Sequence, residues 1–177
     1  MSLQLTSKKR SNTDHQHSQN ARQHEKAVLE VVQKFRIIFK SIKSHFQWVQ
    51  QKTGISGAQL WLLSQVGESQ GVKVSELAHS LAIHQSTVSN LIDRLEKNDF
   101  IRRERQRSDQ RVVKLYVTKK GAKIISIAPR PLRGALPEAL DSFSQRDLYI
   151  LNQQLSNLIK GMKVRDMSGK HVPLSEM

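Results

Sequence analysis

The sequence predicts a mainly α-helical fold with one small β-hairpin, and three observations predict it. Apolar residues recur at steps of three and four along the long segments at both ends. Two short helical segments follow one another closely between residues 75 and 98. Two β-like runs, 101–107 and 112–118, come directly after them. A close helix pair followed by a hairpin with a basic tip is the plan of a winged helix-turn-helix. Here it sits between N- and C-terminal helices long enough to serve in dimerisation.

Taken in order, residues 1–22 are polar, rich in Ser, Gln, Asn and His, and show no period. They are expected to form a disordered basic arm. His15 and His17 read as part of that solvated arm rather than as a metal site. Over residues 23–53, Val28, Val31, Val32, Phe35, Ile38, Phe39, Ile42, Phe46 and Val49 define a long amphipathic helix. A small DNA-reading domain does not need so long an apolar face, so a second copy of the chain is expected to cover it. Gly54 to Gly57 ends the pattern. A second helix follows over 58–66 with Leu60, Trp61 and Leu63, and then a loop from Gly67 to Gly71.

Ser75 is placed to cap a helix over 76–81, with Leu77, Ala78 and Leu81 inward. Ala82, Ile83 and His84 form the turn into the next helix, 85–98. There Val88, Leu91, Ile92 and Leu95 share one face. The opposite face carries Ser86, Ser89, Asn90, Asp93 and Lys97, flanked by Thr87 and Arg94. Such a helix has one side anchored and the other polar enough to reach base edges. The hairpin tip is Ser108-Asp109-Gln110-Arg111. Residues 54–121 are therefore read as the winged domain. Thr118 caps a helix starting near Lys119, Pro129 and Pro131 interrupt it, and Ser144 caps a last helix to Met162. Residues 122–163 are read as C-terminal dimerisation helices and 164–177 as a frayed tail.

The chain carries 29 Lys and Arg against 15 Asp and Glu, a net charge of +14. Between residues 94 and 123 there are eleven Lys and Arg against four Asp and Glu, so half the surplus lies in thirty residues. That concentration falls on the end of the candidate recognition helix and the hairpin, which points to double-stranded DNA. There is no cysteine, which excludes disulfides, thiolate zinc sites and thiol redox sensing. No stretch approaches the roughly 20 apolar residues that span a bilayer, and no secretory signal is expected. The reading is a cytoplasmic, nucleoid-associated protein.

The segment from Ile55 to Gly121 resembles the multiple-antibiotic-resistance regulator (MarR) family of winged-helix repressors. The carrying residues are Val74-Ser75-Glu76-Leu77-Ala78, the run from Ser86 to Lys97, Phe100-Ile101-Arg102-Arg103, Asp109-Gln110-Arg111 and Leu115-Tyr116-Val117-Thr118-Lys119-Lys120-Gly121. Their order is specific, whereas Asp-x-Arg alone is not. The resemblance implies that Arg111 enters the minor groove from the wing, braced by Asp109. It also implies that Ser86, Thr87, Ser89, Asn90 and Arg94 face the major groove. Ser75, Gln85, Lys97, Arg105 and Arg107 complete the expected DNA-binding set. Where the family has Gly after the recognition helix, this chain has Asp99, a residue that tolerates the left-handed conformation.

The family places effectors between the dimer helices and the winged domain, so Phe39, Phe46 and Trp61 are candidates to bind a small aromatic or amphipathic molecule. His45, His79 and His84 are read as surface or capping groups, and no metal or other cofactor is expected. The leading function is a dimeric regulator, a repressor, on a palindromic operator, released by an effector. The alternative is a sequence-tolerant architectural DNA coater. No phosphate-cradling glycine loop, His-Glu zinc motif, Gly-x-Ser-x-Gly elbow or Cys nucleophile is present, so no enzyme is expected.

Overall fold

The computed structural model describes residues 3–81, 83–106 and 109–177, excepting the side chains of residues 3–15, 17, 106 and 109–111. Contacts divide the chain into two units, Met1–Ser41 and Ile42–Met177.

Helix α1 (Leu3–Thr53) contributes to both units. No glycine or proline precedes Gly54, so nothing breaks its hydrogen-bond ladder. The expected disordered arm over 1–22 is corrected accordingly: the backbone is helical from Leu3, as a polar extension. Among the described residues, every side chain from 16 to 34 is exposed. Within the first unit the apolar stripe is largely exposed as well, including Val28, Val31, Ile38 and Phe39. Phe39 stacks on Phe35 one turn earlier, with ring centroids 6.3 Å apart.

In the second unit, α1 ends where the Thr53 hydroxyl donates to the Val49 carbonyl (2.7 Å) and Gly54 takes φ +75°. Helix α2 (Gly57–Glu68) begins with a capping box: Ser56 Oγ accepts from the Gln59 N–H, and Gln59 Oε1 accepts from the Ser56 N–H. Leu60, Leu62, Leu63 and Val66 are all fully buried, so α2 is covered on nearly every side and forms the centre of the core.

The short strand β1 (Val72–Lys73) runs straight into α3 (Val74–Leu81). This corrects Ser75 as the cap. Pairing of Val72 and Lys73 with Leu115 and Lys114 lets the helix start at Val74, and Ser75 falls in its first turn. Glu76 instead reaches back to the Lys73 N–H (3.0 Å). Helix α4 (Gln85–Lys97) buries Val88, Leu91, Ile92 and Leu95. Ala82 lies outside the described residues.

After α4 the chain reverses at Asp99, whose φ of +59° is the left-handed conformation its place in the sequence implied. Strands β2 (Ile101–Gln106) and β3 (Asp109–Val117) pair antiparallel from Ile101↔Val117 to Arg105↔Val113, and β1 completes the sheet in the order β1-β3-β2. Strand β3 takes in Asp109, Gln110 and Arg111, which the sequence reading put in the tip. Residues 107 and 108 lie outside the described residues, as do the Asp109 and Arg111 side chains.

Thr118 caps α5 (Lys119–Ile127) by accepting from the Gly121 N–H at 3.0 Å. A side chain at Gly121 would collide with the Phe100 carbonyl, so only glycine lets α5 sit on that backbone. The prolines separate α5 from α6 (Ala135–Asp141), and Ser144 caps α7 (Gln145–Gly161) as expected. Helix α7 buries no residue, and Leu155, Leu158 and Ile159 stand exposed along it.

The last segment is not frayed. Two 3-10 turns follow, Ser168–His171 and Leu174–Glu176; the second packs back on α2, and Pro173 before it is buried. Asp166 starts this segment by accepting the Ser168 N–H and hydroxyl; the backbone bond above all holds its carboxyl below the usual carboxylate range. The sequence signal for this return is weak, because one proline and one leucine make no period.

Candidate nucleic-acid interface

The outward face of α4 is polar because its four apolar residues are taken by the core. Ser86, Asn90, Arg94 and Lys97 are exposed, and Thr87 and Ser89 are half-buried at the margins. Gln85, at the helix start, and Ser75, on α3, are exposed as well. The structure therefore presents all eight of these expected residues towards solvent, fully or in part. Arg105 is exposed on β2. Arg107 lies outside the described residues, and the expected Asp109–Arg111 pair rests on side chains that also lie outside them.

An open groove runs between α4 and the sheet, lined among others by Ser75, Gln85, Ser89, Asp93, Arg103 and Arg105. Two of its lining residues, Asp93 and Glu96, are acidic and by themselves repel a phosphate backbone. Arg103, on β2, is hydrogen-bonded to Asp93 and lies 3.3 Å from Glu96. One guanidinium thus neutralises two carboxylates and ties the wing to the recognition helix. Arg102, on the same strand, pairs with Glu104 and lies 4.7 Å above the Tyr116 ring.

Sequence reasoning placed Arg103 in the charge cluster and missed its partner. Asp93 and Arg103 are ten residues apart on different element types, so no periodicity connects them; the hairpin's return does. The Ser56–Gln59 box was also missed, although Ser-x-x-Gln ahead of an apolar run is a readable signal.

Of the three aromatic candidates, the second unit brings Phe46 and Trp61 to one small hollow of about 60 Å³. Ile42, Gly57, Pro137 and Leu174 help to line it. Its wall is mostly apolar, with Arg133 at its edge. Phe39 belongs to the first unit, where it is exposed against Phe35. His45 lies edge-on to Phe46 and Trp48, and its buried Nε2 has no hydrogen-bond partner among the described residues. Among the described residues no cluster of three His, Cys, Asp or Glu could hold a metal ion. No described helix is long and apolar enough to cross a membrane.

Comparison with known proteins agrees with this geometry. Residues 55–113 match the model of the MarR family. The HTH-type transcriptional regulator MgrA of Staphylococcus aureus is 32% identical over 115 residues, covering 62% of this chain and 73% of that protein. The HTH-type transcriptional repressor MdtR of Bacillus subtilis is 32% identical over 84 residues, covering 48% of this chain and 54% of that protein. Among solved structures, Sco3205, a MarR family transcriptional regulator from Streptomyces coelicolor in complex with DNA, superposes with a TM-score of 0.53. It is 23% identical and covers 77% of this chain and 88% of that one, a likeness of fold.

Proposed function

The chain belongs to the MarR family of DNA-binding transcriptional regulators, and from that premise we propose that it acts as a homodimer on a palindromic operator. The observation that carries the reading is the outward polar face of α4 beside a groove whose two carboxylates are already neutralised by Arg103. Ser86, Asn90 and Lys97 lie centrally on that face, with Thr87 and Arg94 on one margin and Gln85 and Ser89 on the other. They serve the major groove; Ser75 and Arg105 serve the flanking phosphates. Arg107 and Arg111, with Asp109 bracing the latter, serve the minor groove from the wing.

The apolar stripes of α1 and α7 support the dimer, since exposed faces of this size gain by burial against a second copy. Repression is the sign favoured by the relation to MdtR. A small aromatic or amphipathic effector is assigned to the hollow beside Phe46 and Trp61. It acts by favouring a dimer geometry that the operator does not fit. The protein works in the cytoplasm, at the nucleoid, as a regulator and not as a catalyst. The architectural coater is not favoured, because the relatives are transcriptional regulators.

The test is selection of bound duplexes from a random pool. A twofold-symmetric site with half-sites about 34 Å apart supports the reading. Capture of every sequence equally, with no symmetry, overturns it in favour of the coater.

A further inference from the structure

The C-terminal segment ends against the recognition helix. Ser175 Oγ accepts from the Ala58 N–H at 2.8 Å, a helix-start donor that the Ser56–Gln59 box does not use. One carboxylate oxygen of Glu176 accepts from the Ser56 hydroxyl at 2.7 Å, and the other lies 4.0 Å from the Arg94 guanidinium. The His171 ring sits 4.3 Å, centroid to centroid, from that of His84, the residue that opens α4. Leu174 and Ser175 form one wall of the aromatic hollow.

The cradle is fitted to this segment. The dipole at the start of α2 favours a carboxylate nearby. At Gly57 any side chain would run into the Phe46 ring and come within 3.1 Å of Ser175. The contacts reach α4 at its N-cap, His84, and at Arg94 in its third turn, on one margin of the polar face. At 3.6 residues per turn, Thr87 and Arg94 share that margin, while Gln85, Ser89 and Glu96 share the one facing the wing.

We infer that residues 168–177 are an intramolecular competitor for DNA, docked on the α2–α4 cradle in the free protein and displaced when DNA binds. The inference deepens the proposed function and rests on it. The Glu176 carboxylate partly offsets the positive charge that Arg94 offers to DNA, and it sets a negative charge beside the groove-facing helix. The pair is long and exposed, with 64% of the Arg94 side chain accessible, so it is weak enough for a polyanion to displace. The buried Pro173 keeps the carboxylate close by, at the high local concentration of a tethered group.

The experiment measures affinity for a duplex taken from the selected pool, at low salt, for the whole chain, for Glu176→Gln and for a chain lacking residues 168–177. Both variants are expected to bind about two- to fivefold more tightly, and the gain from Glu176→Gln is expected to vanish in an Arg94→Ala background. In a Trp48→Phe background, Trp61 fluorescence is expected to change on DNA addition in the whole chain and not in the shortened one. Should the shortened chain melt early, Glu176→Gln decides alone, since it leaves Pro173 and Leu174 in place. Equal or weaker binding by Glu176→Gln overturns the competitor and leaves the regulator standing. Failure of every form to bind any duplex overturns both.

Discussion

The two margins of the recognition helix are held in different ways. On the wing side, Arg103 reaches from a paired strand to Asp93 and Glu96, joining two regular elements through a doubly engaged guanidinium. On the tail side, two 3-10 turns meet the helix through a pair of rings and one ion pair of 4.0 Å. A contact between regular elements that are both fixed to the core sets a geometry. A contact made by an irregular segment, held by one buried proline and two hydrogen bonds at the start of α2, can be given up more readily. The contrast assigns positioning to the wing margin and release to the tail margin.

The largest expected effect tests what both margins share, the anchoring of α4 from behind. Leu95→Ala should cost about 2–5 kcal/mol of stability in denaturant melts, since Leu95 is fully buried. A cost below 1 kcal/mol would mean that α4 is held mainly by its margins.

Next is Gly57→Ala, which should cost about 1–3 kcal/mol because the added methyl forces the Phe46 ring and Ser175 to shift. It should also loosen the tail, read as faster trypsin cleavage after Lys170. Unchanged cleavage would separate the tail from the start of α2.

Arg103→Ala should weaken operator binding roughly tenfold, about 1.4 kcal/mol, by leaving Asp93 and Glu96 facing phosphate. Its melting temperature should move little, because the pairs are partly exposed. Arg103→Lys should recover only part, since an ammonium does not fork between two carboxylates. A large fall in melting temperature with no loss of binding would make the tie merely structural.

The smallest effect is that of Ser56→Ala. It removes a cap worth about 1 kcal/mol and the hydroxyl that donates to Glu176. Calorimetry should show that loss while operator affinity rises slightly; a fall in affinity would contradict the tail's part in release.

Much of the site was legible before any coordinates. The faces of α4 follow from Val88, Leu91, Ile92 and Leu95, which fall on one side of any helix built from those residues. Thr118 and Ser144 announced the starts of α5 and α7 because an N-cap bonds within three residues of itself. Asp99 in the left-handed conformation was readable from its place between helix and strand. The two-residue β1 was not, since two residues carry no period, and it moved the start of α3 away from Ser75.

By itself the sequence determined whatever depends on neighbours along the chain: the amphipathic period, the caps, the turn residue and the clustering of positive charge. Only the tertiary structure decided which distant charges meet. Arg103 finds Asp93 through a hairpin, and Glu176 finds Ser56 and Arg94 by a return spanning 120 residues in the first case. The physical reason is that helix period and capping act within about four residues, while an ion pair or a lodged proline depends on where packing happens to bring the chain back.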